Sequence, residues 1–595
     1  MATDTIHSLD RPAGNSPTWL TGRNVSMLVA LALFWGFILT TDSIEWTMFL
    51  RFVTRMAAHA ALLLFGLGWW ITNRKLTRGE RTWGLGVSLV AWLAIAPLCD
   101  PTISLFAMLL VGMPWIITLG TLWLLVAGRQ SPRVRMAGTA AIALLTFASF
   151  TLTRWDGLDG AQHSVLSWRW DPTPEQLFLA STKSADKPLE AAAKPVELVP
   201  GDWPEFRGPE RDGRVHDARL ATDWTAHPPQ KVWRQRIGPA WSGITVVGGR
   251  LYTQEQRGDN EAVVCYDAAS GKQLWAHDDA GRFAEPLSGP GPRATPTFHA
   301  GRLYTLGARG TLDCLDAAAG KLIWTHDVAR DGSAEVPQWG YSSSPLVVDG
   351  QVFEYAGGPA HKALLAYSAT DGQVTWSFDA GARGYSSPQL VTLAGTRQLL
   401  MASELGVWAV GLDGKKLWLY PNEGMLEPIL QPQPLAGDEL LVQTANGLAR
   451  IAVKHEGDKW DVSERWSSRA LKPSLNDCVV YQGHVYGFDD GIFCCLDAAT
   501  GKRAWKRGRY GHGQVLLLVE QGLLLVLSEK GEVVLLTANP KQLEELGRFQ
   551  AIEGKTWNHP TLAHGRLYVR NDEEMACYEM PTASTSAADK QSDAR

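Results

Sequence analysis

Asp267-Ala-Ala-Ser-Gly-Lys-Gln-Leu-Trp275 is the first full copy of a phrase that returns along this 595-residue chain. It recurs as Asp316-Ala-Ala-Ala-Gly-Lys-Leu-Ile-Trp324 and Asp497-Ala-Ala-Thr-Gly-Lys-Arg-Ala-Trp505, and in looser form as Gly372-Gln-Val-Thr-Trp376 and Gly414-Lys-Lys-Leu-Trp418. Before it stands a short strand, as in Cys265-Tyr-Asp, Cys314-Leu-Asp and Cys495-Leu-Asp; earlier still comes a strand opened by glycine, as in Gly301-Arg-Leu-Tyr304 or Gly565-Arg-Leu-Tyr568. Asp followed by Gly suits a tight turn, because Asp bonds its own backbone and Gly accepts positive φ. Four antiparallel strands in each roughly 40–50 residues make a propeller blade.

Counting outward from these copies, blade ends fall at Trp233, Trp275, Trp324, Trp376, Trp418, Trp466, Trp505 and Phe549, the units at 466 and 549 being degenerate. Lys231-Val-Trp233 supplies a Trp strand without the strands before it, whereas Trp557–Met580 supplies strands without a Trp strand. Joined, the two fragments complete one blade, giving an eight-bladed all-β propeller over 201–580 with no free sheet edge. The 26 tryptophans and 58 glycines follow from this repetition.

The first quarter is different. Five apolar runs, Ser26–Thr41, Met56–Thr72, Trp83–Leu98, Ile103–Ala127 and Ala137–Leu152, approach the length that spans a bilayer as helix. Residues 1–155 therefore read as a five-span membrane anchor rather than a cleaved leader. Arg74, Lys75, Arg78 and Arg81 follow the second run, and Arg129, Arg133 and Arg135 the fourth. Placing these basic loops inside puts the N-terminus in the cytoplasm and the propeller outside it, on an inner membrane. No run carries a charged pair or relay carboxylate, which favours an anchor over a transporter. Residues 156–200 read as a linker and 581–595 as a disordered tail. A net charge of −5 gives no electrostatic footprint for nucleic acid.

The repeat resembles that of the pyrroloquinoline quinone (PQQ) enzymes and PQQ-like propellers. Asp202-Trp-Pro-Glu-Phe-Arg-Gly-Pro-Glu-Arg-Asp-Gly213 and Ser167-Trp-Arg-Trp-Asp-Pro-Thr-Pro-Glu175 are similar to segments of membrane-anchored PQQ-like proteins abundant in planctomycete-type bacteria. The resemblance implies the fold. For function it implies two readings: a non-catalytic scaffold such as an outer-membrane-assembly lipoprotein, or a quinoprotein dehydrogenase holding PQQ and Ca²⁺ on the axis and passing electrons to membrane quinone. The propeller lacks the long insertions of the dehydrogenases, and no Ca²⁺ or catalytic-Asp motif aligns. Cys494-Cys495 lies in one strand, where successive residues face opposite ways, so the cysteines are expected as small buried residues. A metal site is expected nowhere, for no His-Glu-x-x-His or Cys-x-x-Cys occurs.

The leading residues of each inner strand face the channel mouth, and these form a polar, aromatic ring: Trp241, Arg293, Tyr341, Tyr385, Gln433, Asn476 and Asn558. A ligand at the axis would meet them first. Under the enzyme reading Trp241 or Trp557 stacks on PQQ, Asn476, Asp477 and Asn558 offer oxygens to Ca²⁺, and Asp477, His512 or His559 acts as base. Under the scaffold reading no cofactor is needed, and the mouth meets a protein or glycan partner while the helices meet membrane lipid.

Overall fold

The computed structural model describes residues 22–41, 44, 46, 48–158, 164–183, 194–359, 362–422, 424 and 427–583. They fall into two compact units, dividing between Asp171 and Pro172.

The first unit contains five helices long and apolar enough to cross a membrane: Gly22–Thr40, Leu50–Thr72, Arg78–Leu98, Leu105–Arg129 and Pro132–Leu152. Four of the five begin before the apolar run that announced them, because their first turns hold polar or basic residues. At Arg78–Leu98 that turn is a capping box, in which Thr77 and Glu80 bond each other's backbone N–H groups. The sequence showed no charged pair in the spans, but the structure has one where two of them begin. Arg135 Nε lies 2.7 Å from Glu80 Oε1, both buried. The spacing of 55 residues hides it from any local pattern. A cleft of about 270 Å³ between helices is lined by Met56, His59, Leu62, Phe106, Met113 and other apolar side chains. The expected linker contributes a hairpin here, Thr153–Leu158 with Ser164–Trp168.

The second unit is an eight-bladed β-propeller. Blades 1 to 7 run in chain order, from Thr245–Ala280 to Gln514–Gln550. Blade 8 takes three strands from Thr561–Glu579 and its outer strand from Gln230–Arg236, with Cys577 opposite Trp233. Closure thus pairs the two ends of the repeat array, as the split fragments required. The inner hairpins of blades 2, 3, 4, 6 and 8 turn on a residue–Gly pair with both φ positive, Ala300-Gly301 and His564-Gly565 among them; such turns match the twist of the strands they join.

The repeat phrase is a packing device. Four blade-end tryptophans face a small residue across their own sheet: Cys265–Trp275, Cys314–Trp324, Ala366–Trp376 and Cys495–Trp505. The rings of Trp233, Trp275, Trp324, Trp376 and Trp466 lie against the phrase glycine of the next blade. A Cβ on Gly320 would stand 2.4 Å from Trp275, and one on Gly271 2.8 Å from Trp233. The indole N–H groups of Trp233, Trp324, Trp376, Trp466 and Trp505 donate to carbonyls of the following blade, at 2.9 to 3.2 Å. Trp418 meets no phrase glycine in degenerate blade 5 and donates to Gln398 of its own blade. All seven cysteines are buried thiols.

Helix Pro174–Lys183 belongs with the propeller rather than to a free linker. Glu175 accepts both guanidinium N–H groups of Arg282 at 2.8 Å and the Gly258 N–H at 2.9 Å. Residues 184–193 and 584–595 lie outside the described residues. Of the expected tail, Thr582 bridges Leu220.

Candidate functional site at the propeller axis

Strand order places the residues preceding each inner strand at one mouth of the channel. Many of their polar groups tie neighbouring blades together. The hydroxyl of Thr245 donates to Pro296 O, Thr297 to Pro345 O, Ser386 to Leu430 O and Thr561 to Ile244 O, at 2.5 to 3.1 Å. Asn476 donates to Gly513 O and Gln514 to Trp557 O. This girdle explains why the ring is polar between apolar blades: each side chain satisfies a backbone group that the next blade leaves open.

The opposite end is closed by the chain itself. Asp202–Gly213 enters there, pairing Trp203 with Val246 and holding Asp202 against His564 at 2.7 Å. Two residues in this segment, Arg207 (φ 60°) and Arg211 (φ 54°), adopt the left-handed conformation. Their side chains point inward and are almost wholly buried. Arg207 donates to the carbonyls of Asp212 and Cys478, both at 3.0 Å, and faces Asp477 across 3.3 Å. Arg211 donates to Ser344 O at 2.8 Å and Pro345 O at 3.0 Å, and pairs with Glu205 at 2.6 Å. Phe206 sets its ring edge-on to His559, centroids 4.9 Å apart. One short segment therefore touches blades 1, 2, 3, 6, 7 and 8 and plugs the channel.

The predicted ring residues sort around this plug. Trp241 packs against Trp557 with centroids 5.0 Å apart, and the Lys555 ammonium sits over both rings. The Trp241 indole donates to Ser288 O at 2.9 Å and that of Trp557 to Glu529 at 2.9 Å. Arg293 donates to Ser288 Oγ and Gly289 O and lies over Phe283; burial lowers its pKa to about 10, against the pull of Glu285. Tyr341 donates to Ala356 O and Gln433 to Gln431 O. Tyr385 accepts the Trp339 N–H, while the Trp339 indole donates to Glu427 at 3.2 Å. Asn558 donates to Ala240 O and Ser242 O. Asn476 Oδ1 faces His512 Nδ1 at 3.4 Å.

Asp477 lies between Arg207 and His559 Nε2, the latter at 3.0 Å. Burial alone would raise its carboxyl, but the charge of Arg207 and the His559 bond outweigh it and hold it below the usual range. Asn476, Asp477 and Asn558 were the oxygens offered to Ca²⁺. They do not fit one: Asp477 already faces the Arg207 guanidinium and the His559 imidazole, and Asn476 faces a histidine, whereas Ca²⁺ takes about six to eight oxygens. The faces of Trp241 and Trp557, expected to stack on a planar quinone, are turned to each other and to Lys555. Asp477 and His559, offered as bases, instead hold the plug.

Sequence reasoning had marked Asp202–Gly213 as distinctive without placing it on the axis. Two arginines flanking a Gly-Pro pair were the available signal. It also missed His277, Asp279 and Asp313, whose ligand atoms lie within 4.8 Å of one another at the junction of blades 1 and 2.

The family model described as outer membrane protein assembly factor BamB matches three overlapping stretches of the chain, residues 226–289, 259–507 and 427–585. Among curated proteins nothing matches. Solved structures similar to the chain include the quinohemoprotein alcohol dehydrogenase of Comamonas testosteroni, 14% identical over 68% of this chain and 84% of that one, with a TM-score of 0.47. BamB from Moraxella catarrhalis is 16% identical over 59% of this chain and 98% of that one, at 0.40. A europium-containing methanol dehydrogenase is 10% identical over 64% and 98%, at 0.41. At these identities and scores the likeness bears on neither activity nor ligand.

Proposed function

The chain belongs to the family described as outer membrane protein assembly factor BamB, and from that premise we propose that it is a membrane-anchored scaffold whose propeller receives a protein partner at its open mouth and works without PQQ or Ca²⁺. The observation that carries this reading is the plug. Arg207, Arg211 and Phe206 fill the axis from one end, and the polar ring of the other end is engaged in bonds between blades. A face with its centre so engaged offers its loops rather than a deep pocket. Those loops expose Val336, Leu405 and Ile429 beside Trp339, Tyr385 and Glu427. Exposed apolar side chains rimmed by charged and aromatic groups suit a protein surface.

The helices anchor this scaffold in the inner membrane. Basic residues after the second and fourth spans put the N-terminus in the cytoplasm and the propeller on the far side. A photo-crosslinking side chain at Leu405 or Ile429, activated in intact membranes, is expected to give discrete protein adducts, with none from Ile323 on the outer strand of blade 2. Adducts equally from all three positions, or from none, contradict the reading.

A further inference from the structure

His277 and Asp279 are alternate residues of the outer strand of blade 1, Gln273–Ala280, so their side chains share one face of the sheet. Asp313 comes from the third strand of blade 2, Thr311–Asp316. His277 Nε2 lies 3.4 Å from an Asp279 oxygen and 3.7 Å from an Asp313 oxygen. Asp313 is 1% exposed, and neither of its carboxylate oxygens has a hydrogen-bond partner among the described residues. The Asp279 side chain is 24% exposed and that of His277 19%, so the group has a path to water.

This arrangement is costly as it stands. A buried carboxylate without hydrogen bonds loses its hydration and gains nothing, and a second carboxylate facing it adds repulsion. Several buried polar groups of this propeller are satisfied by backbone of the next blade, whereas Asp313 has one oxygen 3.7 Å from His277 Nε2 and a second carboxylate, Asp279, nearby. A divalent ion at their common centre would satisfy all three groups together. The spacing suits it: bonds of about 2.0–2.1 Å to nitrogen and oxygen in a tetrahedron set ligand atoms roughly 3.3 Å apart. The two His277 edges are close to that value. An imidazole with two carboxylates selects borderline transition ions over Mg²⁺ and Ca²⁺, which prefer all-oxygen cages.

We propose that His277, Asp279 and Asp313 bind one divalent transition-metal ion of the zinc class, with water completing its shell, and that the ion clips blade 1 to blade 2. The site is separate from the axis and stands whether or not the mouth binds a partner. Several junctions of the ring have both Trp–Gly packing and an indole–carbonyl bond; here the clip adds a tie between an outer strand and its neighbour. The Trp275 indole N–H, unlike those of five other blade-end tryptophans, has no hydrogen-bond partner among the described residues. At the blade 1–2 junction the Trp275–Gly320 contact stands without that carbonyl bond, so an added tie acts there.

The test uses the full-length chain in detergent, stripped with chelator and titrated with Zn²⁺ alone. The expected result is saturable uptake of one Zn²⁺ per chain and a raised unfolding midpoint, because a ligand bound only by the folded state stabilises it. His277→Gln and Asp313→Asn should each abolish both effects, and Asp278→Asn, on the other face of the strand, should keep both. X-ray absorption should show a nitrogen and oxygen shell with an imidazole signature and no sulfur. Absence of saturable uptake overturns the proposal. So does uptake that persists in both variants, which would place the ion elsewhere. Asp313→Asn stabilising the metal-free chain while Zn²⁺ leaves the wild type unchanged also overturns it, since the two carboxylates would then share a proton instead. His277→Gln keeps a polar side chain at a partly exposed position, so the test survives if Asp313→Asn fails to fold.

Discussion

Arg207 and Asp477 face each other across 3.3 Å at the propeller axis, with side-chain exposures of 1% and 8%. Arg207 lies in the segment before the first blade and Asp477 before the inner strand of blade 6. Their pairing ties the plug to the ring. Arg207→Ala would leave Asp477 buried with only His559 beside it, and removing one partner of a buried pair costs about 3–5 kcal/mol. Denaturant unfolding of the full chain should show a loss near the lower figure. Arg207→Lys should not restore it, because Lys lacks the fork that reaches two carbonyls as well as the carboxylate. A loss under about 1 kcal/mol would mean that the plug is not held in the channel.

Acid should release the same contact. The Asp477 carboxyl is held below its ordinary range in the folded chain. Its contribution is therefore present above the unfolded value, about 3.9, and is lost as pH falls through the lower folded value. Between pH 5 and pH 3 the wild type should lose more stability than Asp477→Asn. Parallel curves would contradict the assignment.

Glu354 should give the opposite slope. It is fully buried in blade 3, accepts the Tyr355 N–H, and burial pushes its pKa up to about 8. A raised carboxyl holds a proton that the unfolded chain releases above about pH 4.3, so its contribution is full below that and fades toward pH 8. Glu354→Gln should flatten the stability profile between pH 5 and 8 and gain about 2–4 kcal/mol at pH 8. An unchanged slope would show that Glu354 is ionised in the folded chain.

The repeat glycine is required for contact as well as conformation. Gly320 has φ 67°, and a Cβ there would meet Trp275 at 2.4 Å; Gly565 has φ 74° and nothing within 4 Å. Gly565→Ala should cost only the left-handed strain, about 1–2 kcal/mol. Gly320→Ala should cost about 1–3 kcal/mol more, because the Trp ring must move. Equal losses by thermal unfolding would refute the inter-blade role of the phrase.

The fold was legible because its signal repeats. The Asp–Gly–Trp phrase marks one turn and one outer strand per blade, and each copy corroborates the others. Even ring closure was readable, since Trp233 lacked its strands and Trp557–Met580 lacked a Trp strand. The polar leading residues of the inner strands were legible as a set of positions, but which groups they bond was not. Whether Asn476 offers an oxygen to a ligand or an N–H to Gly513 depends on which backbone the next blade presents. Arg207 and Arg211 act across blades far from them in sequence, and so do His277 and Asp313 across one junction. Such pairings leave no local spacing. Glu80 and Arg135 escaped notice in the helical unit for the same reason.

The most direct test of the scaffold reading is calorimetric titration of the folded full-length chain with PQQ and Ca²⁺ together, followed by dye-linked oxidation assays with alcohols and sugars. The plugged axis and the engaged Asp477 predict no saturable heat and no turnover, with the unfolding midpoint unmoved. Stoichiometric binding that raises the midpoint, with turnover lost in Asp477→Asn, would contradict the account and make the axis a cofactor site.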